Sequence, residues 1–383
     1  MAVKVKKKQP RSPMGNIDYG VFYAVILLLA IGVVMVYSAS SYYAMQNYGD
    51  STAFLKKQAI SSVLGLAAMF LFMGIDYHRL KKYTFALMIV TVPLLLIVRL
   101  FPPVNGAQRW IPLGPLGTFQ PSELAKYVVV LFLAMSLAAK GDGVKEFTTG
   151  IIPYIVVAGF YAGLVLAQKN LSIAALIMIV TFIMLYCAGG RLHHLFLYVA
   201  PVLTAAAAFF ALGEDYRRAR MLNFINPWKD ASGDGYQLIQ SFYALGAGGI
   251  TGLGLGQSRQ KTSYMPEPHN DFIFSIIGEE LGYIGCVVII CLFVFLISRG
   301  IKVAMRAKDT YGTFLAIGIT SVIAVQTIIN IAVVTGSMPV TGVTLPFISY
   351  GGTSLAITMA AMGVLLNISR QKVKEESKLN KIN

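Results

Sequence analysis

Residues 21–37 read VFYAVILLLAIGVVMVY, an apolar run without a charged side chain. Such a run is typical of a transmembrane helix, which needs about 20 mostly apolar residues to cross the hydrocarbon core. Comparable runs recur along the chain and predict an all-α integral membrane protein with about ten transmembrane helices. We place these spans near 19–41, 57–75, 82–101, 121–139, 148–167, 170–188, 192–212, 271–298, 311–336 and 346–368.

The composition also favours a membrane protein over a soluble one. Of the 383 residues, 56% are hydrophobic and 13% are charged, which leaves too little charge to cover a soluble globule. The net charge of +15 is compatible with nucleic-acid binding, but the basic residues gather in loops and terminal arms, so we expect no nucleic-acid partner. The three cysteines lie inside apolar runs and predict neither disulfides nor a metal site.

The loop charges predict the orientation in the membrane. Lys and Arg are concentrated in the terminal arms and in the even-numbered connections, such as 79–82 and 299–308. The positive-inside rule therefore predicts that both termini are cytoplasmic. A cleavable signal peptide is the alternative for the first run, which is longer than a signal-peptide core, and we favour a retained helix.

The chain is expected to form a single membrane domain, residues 19–369, between two basic ends. These ends are a cytoplasmic arm at 1–18 and a cytoplasmic tail at 370–383. The tail can act as a stop-transfer anchor, which we favour, or contact anionic membrane lipids or a cytoplasmic protein.

One connection is much longer than the others. Residues 213–270 form one large extracellular loop between helices 7 and 8 that is too aromatic for simple disorder, so we expect an ordered loop with short interfacial helices. Its Gly-rich string at 252–258 lacks the Lys and Ser/Thr of a phosphate-binding loop. We expect a flexible or tightly turning loop there and no nucleotide site.

Polar residues, Gly and Pro are dense in three segments, 102–126, 246–280 and 336–354. The topology brings all three to the outer face, where ATP and nucleotide sugars are absent. A site is therefore predicted on the outer side.

The first polar segment contains Arg109 and leads into the fourth span. Pro121 suits the first helical turn, and Glu123 suits the positive end of the helix. Lys126 follows three residues later, so the two side chains share a face and can pair. A structural ion pair between helices and a charged wall of an outward cavity are equally compatible with this spacing.

The second polar segment leads into the eighth span through Asp271. A carboxylate at a helix start needs no further explanation, since the helix dipole favours it. Helical spacing, however, aligns Asp271 with Ser275, Gly278 and Glu279, and we interpret this stripe as a cavity wall. His269 either tunes Asp271 or is a solvated loop histidine.

The third polar segment is preceded by Gln326 and Asn330, one turn apart in the ninth span. Packing through hydrogen bonds between helices is the favoured interpretation of this pair.

With these segments identified, the chain resembles the SEDS family (shape, elongation, division and sporulation), and its FtsW/SpoVE branch more than RodA. The matching strings run over nearly the whole chain: Val36–Ser40, Gln120–Glu123 with Lys126, Asn226–Trp228, Gly254–Lys261, Pro266–His269 with Asp271, Gly278–Gly282, Thr344–Phe347 and Ser349–Gly352.

The resemblance implies a ten-helix peptidoglycan glycosyltransferase on the outer face of the bacterial cytoplasmic membrane, serving cell division or sporulation. Such enzymes polymerise lipid II with inversion and release undecaprenyl diphosphate. Their partners are a class B penicillin-binding protein and other divisome or elongation proteins. In the family, the Asp at the position of Asp271 is essential, and Glu123 and Lys126 match a fourth-helix pair.

The chain departs from the family at the start of the sixth span. Many members carry a Pro-Asp-Leu-Gly-Thr string there, whereas this chain has Lys169 and Asn170 in the first two places. A role of that carboxylate in relatives is therefore not carried over.

We expect Asp271 to act as the general base for the acceptor sugar hydroxyl. Candidates for substrate binding or for the cavity wall are Glu123, Lys126, Arg109, Lys261, Glu279 and Ser275. Positive charge for the leaving diphosphate is expected from Arg109, Lys261 or the cluster Arg217, Arg218 and Arg220. No cofactor is certain. A divalent cation is an option, although no ligand set is visible.

Two other functions remain open from the sequence. A lipid II flippase needs polar residues through the membrane midplane, whereas the polar residues here cluster on one side. A non-catalytic scaffold that recruits the penicillin-binding protein would tolerate loss of Asp271.

Overall fold

The protein is described by a computed structural model over residues 15–371, apart from 104–106, 115–116, 214–217, 219–220, 222, 234 and 263. Its α-helices are α1 Tyr19–Tyr48, α2 Ala53–Gly74, α3 His78–Ile97, α4 Pro121–Lys140, α5 Ile152–Leu166, α6 Leu171–Cys187, α7 Ala200–Leu212, α8 Tyr236–Gly248, α9 Ile273–Met305, α10 Thr310–Val334 and α11 Gly352–Arg370. A two-stranded antiparallel hairpin, β1 Ile111–Pro112 with β2 Thr118–Phe119, precedes α4.

The ten predicted spans all correspond to helices. Within the described residues, eight helices are long and apolar enough to cross a membrane, and α6 and α7 are shorter apolar helices. The prediction of a multi-pass, all-α membrane protein with about ten spans is therefore confirmed. The cytoplasmic placement of both termini stays a prediction.

Several span boundaries differ from the prediction by a few residues, and two of these differences have an identifiable reason. Helix α1 continues past 41 to Tyr48 and ends where Gly49 takes a left-handed conformation, φ 70°, as a C-cap. The last span begins at Gly352 rather than near 346, because Phe347 has φ 64°, which a continuous right-handed helix excludes.

Helices α4, α10 and α11 form the centre of the bundle. Their apolar windows are 61%, 72% and 67% buried by protein, against 28% for α2 and 22% for α3, which present more surface to the lipid. Helix α11 packs closely on α2, since a side chain at Gly363 would collide with the Met69 backbone oxygen. The site described below lies at one end of this central group.

The large loop is ordered in its described part, as expected. It contains α8 and a 3-10 turn at Pro227–Asp230. Its Gly-rich string turns tightly, with left-handed backbone at Gly252, Gly254 and Gly256. Residues 249–254 hydrogen-bond to the backbone of α9 around its break at Gly282, φ 66°, and so satisfy groups that the break leaves unpaired.

Candidate active site

The predicted pairing of Glu123 with Lys126 is confirmed. Pro121 begins α4, which puts Glu123 in its first turn, and the Lys126 ammonium lies 2.8 Å from the Glu123 carboxylate. The two side chains are only 4% and 0% exposed. Ser354 of α11 donates a 2.5 Å hydrogen bond to the same Glu123 oxygen. The pair is therefore a buried link between central helices, and its burial shields it from solvent screening.

The Lys126 ammonium also donates to the side-chain oxygen of Gln326 on α10, at 2.7 Å. The Gln326 amide nitrogen in turn donates to the backbone oxygen of Thr344, at 3.0 Å. One turn further along α10, Asn330 donates to the backbone oxygens of Val343 and Asp271, both at 2.7 Å. These polar side chains connect the buried ion pair to the segment that carries Asp271.

Asp271 lies just before the first turn of α9, which begins at Ile273 with Phe272 as its N-cap residue. The Asp271 side chain is half-buried, and a Cβ built on Gly342 would lie 3.9 Å from one of its carboxylate oxygens. The carboxylate thus faces the irregular backbone around Gly342, which is tolerated at membrane depth only where it is buried in protein or lines a cavity.

His269 is buried rather than solvated, so the solvated-loop alternative is wrong, and its tuning of Asp271 stays a prediction. It is 2% exposed and packs against the rings of Phe54 and Tyr350, with centroids at 4.2 and 5.4 Å. Burial lowers the pKa of His269 to about 4, so the imidazole is neutral at pH 7. Its backbone oxygen accepts a 2.9 Å hydrogen bond from the Tyr350 N–H. His269 therefore fixes one segment of the site against another.

Ser275 and Glu279 do not line an open cavity with Asp271, so the interpretation of this stripe as a cavity wall is corrected. Both side chains are fully buried. Ser275 is 2.7 Å from Ser241 of α8, and Glu279 accepts hydrogen bonds from the Ser258 hydroxyl and the Arg259 N–H. Helix α8 and the 258–261 loop cover this face of α9, which helical spacing alone does not reveal.

Lys261 is held by a carboxylate that the sequence analysis left without a role. Its ammonium lies 2.7 Å from Glu280 and 3.2 Å from the Ser38 hydroxyl, and the Lys261 side chain is 6% exposed. Ser38 also donates to Glu280. A cavity of about 560 Å³, lined in part by Tyr37, Ser38 and Lys261, lies between the C-terminal half of α1 and the 255–262 loop.

Arg109 reaches the turn between α5 and α6. Its guanidinium donates to the backbone oxygens of Gln168 and Lys169. Asn170 then caps α6 by accepting from the Ile173 N–H at 3.2 Å. Because an aspartate can accept the same bond, the departure from the family string preserves the helix cap. Of the predicted arginine cluster, only Arg218 is described, and Arg217 and Arg220 lie outside the described residues.

Three non-glycine residues among those described have left-handed backbone. They are Lys169 (φ 59°), Glu267 (φ 47°) and Phe347 (φ 64°). All three lie in connections between helices rather than inside them. Such strained positions persist where the surrounding structure holds them, and they gather at functional sites.

Comparison with known proteins identifies the family. The family model described as "Cell cycle protein", FTSW_RODA_SPOVE, matches residues 19–374. The chain belongs to the FtsW/RodA/SpoVE family. This confirms the resemblance that the sequence strings carry.

Individual members of the FtsW/RodA/SpoVE family match along most of their length. "Stage V sporulation protein E" of Bacillus subtilis (strain 168) is 43% identical over 349 residues, 90% of this chain and 94% of that protein. "Probable peptidoglycan glycosyltransferase FtsW" of Geobacter metallireducens is 45% identical over 356 residues, again 90% and 94%. A solved chain from work on the structural coordination of polymerization and crosslinking by a peptidoglycan synthase complex superposes with a TM-score of 0.77 at 29% identity, covering 94% of this chain and 99% of that one.

In this FtsW/RodA/SpoVE protein, sequence reasoning missed the partners that organise the site. Glu280 was quoted within a family string but given no role, although it binds Lys261. Gln326 and Asn330 were interpreted as forming hydrogen bonds between helices, which Gln326 does with Lys126 of α4, whereas Asn330 binds the Asp271 backbone outside the helices. Their spacing of one turn was the available signal, but the spacing does not identify the carbonyl groups that they bind.

Proposed function

We propose that this chain is a peptidoglycan glycosyltransferase that polymerises lipid II at the outer face of the bacterial cytoplasmic membrane. The enzyme class is the one named in its FtsW relatives, which are 38–45% identical to it. The observation that carries the proposal is the half-buried Asp271 carboxylate, which faces the irregular backbone at Gly342 where outer segments meet.

Asp271 acts as the general base in the proposed reaction. Its carboxylate takes the proton from the acceptor sugar hydroxyl as that oxygen attacks the anomeric carbon of the donor. The new glycosidic bond forms while the bond from the anomeric carbon to the diphosphate oxygen breaks. The anomeric centre inverts, and undecaprenyl diphosphate leaves with the bonding electron pair.

The leaving diphosphate needs positive charge nearby. Arg109 fits this role, since its guanidinium lies at the turn between α5 and α6, where it donates to the backbone oxygens of Gln168 and Lys169. Lys261 fits it less well, because Glu280 already lies 2.7 Å from its ammonium. The exposed Lys169 side chain next to the Arg109 contact offers a second charge.

Among the described residues, no three His, Cys, Asp or Glu side chains gather so as to hold a metal ion. No step of the proposed reaction passes through a cation. The option of a divalent cation stays a prediction.

The proposed partners follow from the family. A relative in a complex that couples polymerisation to crosslinking supports a class B penicillin-binding protein as the crosslinking partner. Both termini are proposed to be cytoplasmic, because the basic arms flank the first and last spans. The lipid tails of the substrate would then lie between helices in the outer leaflet. The SpoVE and FtsW relatives support a role in sporulation or cell division.

Purified protein in lipid vesicles, with and without its penicillin-binding partner, tests this proposal against its rivals. We expect polymeric glycan from lipid II and release of undecaprenyl diphosphate. Movement of lipid II across the vesicle membrane without polymer would favour a flippase. Neither polymer nor transport from a preparation that binds the partner would favour a scaffold.

A further inference from the structure

Residues 339–345 run between α10 and α11 without helix or strand, so their backbone carbonyls have no regular partners. Side chains from two helices bind three of them. Ser172 of α6 donates to Thr341 at 2.5 Å, Asn330 to Val343 at 2.7 Å and Gln326 to Thr344 at 3.0 Å. Since a buried carbonyl without a partner is costly, these side chains determine the path of the segment.

Asn330 differs from the other two because its amide nitrogen donates twice, to two separate parts of the chain. One bond goes to Val343 and the other to the backbone oxygen of Asp271, both at 2.7 Å. The side chain is 1% exposed, so water does not compete for these bonds. A planar amide with both hydrogens engaged fixes the spacing and the angle between the two carbonyl groups.

This contact bears directly on the carboxylate of Asp271. Asp271 lies just before the first turn of α9, and its backbone oxygen is one of the two that Asn330 binds. Gly342, beside which the carboxylate lies, is the neighbour of Val343. Asn330 therefore binds the backbone on both sides: at Asp271, which carries the carboxylate, and at Val343, next to Gly342.

We propose that Asn330 is a positioning residue for the transferase reaction, which sets the Asp271 carboxylate relative to the 341–344 segment. Gln326 extends the same arrangement to the Glu123–Lys126 ion pair, because it bonds both Lys126 and Thr344. The ion pair, buried away from solvent, acts on the site through this path. The inference rests on the proposed role of Asp271 as the base.

Steady-state polymerisation of lipid II by the full-length protein with its partner tests the inference. We expect Asn330→Ala to lower kcat by about tenfold or more with KM changed by no more than about twofold, because a misplaced base slows the chemical step without weakening substrate binding. Thr327→Val is the matched control on the same helix, since the Thr327 hydroxyl is buried without a hydrogen-bond partner among the described residues. We expect wild-type kcat and KM from this control.

Asn330→Ser is the second variant, for the case that Asn330→Ala does not fold. A hydroxyl can donate to only one of the two carbonyls at a time, so its kcat should lie between those of the wild type and the alanine variant. Wild-type kcat in either folded Asn330 variant would overturn the inference, as would a rise in KM that accounts for the whole loss.

Asp271→Ala, measured in parallel, separates this inference from the proposed function. If Asp271→Ala retains full activity, the proposed base is wrong and the positioning role falls with it. If Asp271→Ala is inactive while a folded Asn330 variant is fully active, only the positioning role is overturned.

Discussion

The Lys126 ammonium lies 2.8 Å from the Glu123 carboxylate, and neither side chain is more than 4% exposed. A buried ion pair owes its stability to the presence of both partners, because each charge left alone in the protein interior is poorly solvated. The pair also connects α4, α10 and α11 through Gln326 and Ser354. Removal of the pair should therefore lower the stability of the protein first, and the rate of the reaction only as a consequence.

Lys126→Met should lower the free energy of unfolding by about 3–5 kcal/mol, because Glu123 is left as an unpaired buried charge. The double change Lys126→Met with Glu123→Gln should recover part of that loss. Lys145→Met is the matched control, since Lys145 pairs with Asp142 at the same i,i+3 spacing but is 53% exposed. The control should cost no more than about 1 kcal/mol. Equal losses from the two single variants in denaturant unfolding would contradict this account.

Lys261→Met should destabilise the protein, because it leaves Glu280 buried and without its 2.7 Å cation. We expect a loss of about 3–5 kcal/mol, partly restored by adding Glu280→Gln. Lys56→Met removes a comparable ion pair that is 68% exposed on the lysine side, and it should change stability little. A Lys261→Met protein with wild-type stability but slow polymerisation would instead assign Lys261 to the leaving diphosphate.

His269 predicts an acid-sensitive stability. Because burial lowers its pKa from 6.5 to about 4, folding favours the neutral imidazole. The contribution of the neutral imidazole to the free energy of unfolding is complete above about pH 6.5 and is lost as the pH falls toward 4. The free energy of unfolding should therefore fall by about 2 kcal/mol between pH 7 and pH 5. His269→Phe should remove this part of the pH dependence, since a phenyl ring suits the surrounding aromatic rings and does not titrate.

Unfolding of wild type and His269→Phe at pH 7 and pH 5 checks this prediction. His193→Gln, at an exposed position, is the control and should keep the wild-type pH dependence. An unchanged pH dependence in His269→Phe would show that the imidazole already titrates near its usual value in the folded protein.

The sequence predicted the number and order of the spans because each apolar run is determined locally by the bilayer thickness. It also predicted the contact between Glu123 and Lys126, since residues three apart on a helix lie on one face. Span ends were less predictable, because Gly49 and Phe347 act through backbone conformation rather than hydrophobicity.

The surroundings of the site were not predictable from helical spacing alone. Ser275 and Glu279 face α8 and the 258–261 loop because the Gly-rich loop folds back on α9 at Gly282. Asn330 binds carbonyl groups from segments 59 and 13 residues away in the chain, and no local pattern encodes such partners. The hydrogen bonds that organise the site are thus tertiary, whereas the helices that carry them are local.

The most direct test of the central claim is the rate of glycan polymerisation from lipid II by wild type, Asp271→Ala and Asp271→Asn, with lipid II binding measured on the same preparations. Asp50→Asn serves as the control, because Asp50 forms a surface ion pair with Lys56 outside the site. If Asp271 is the base, both Asp271 variants should lose on the order of 100-fold or more in rate while binding lipid II as the wild type does. Polymerisation at the wild-type rate by folded Asp271→Ala would contradict the account.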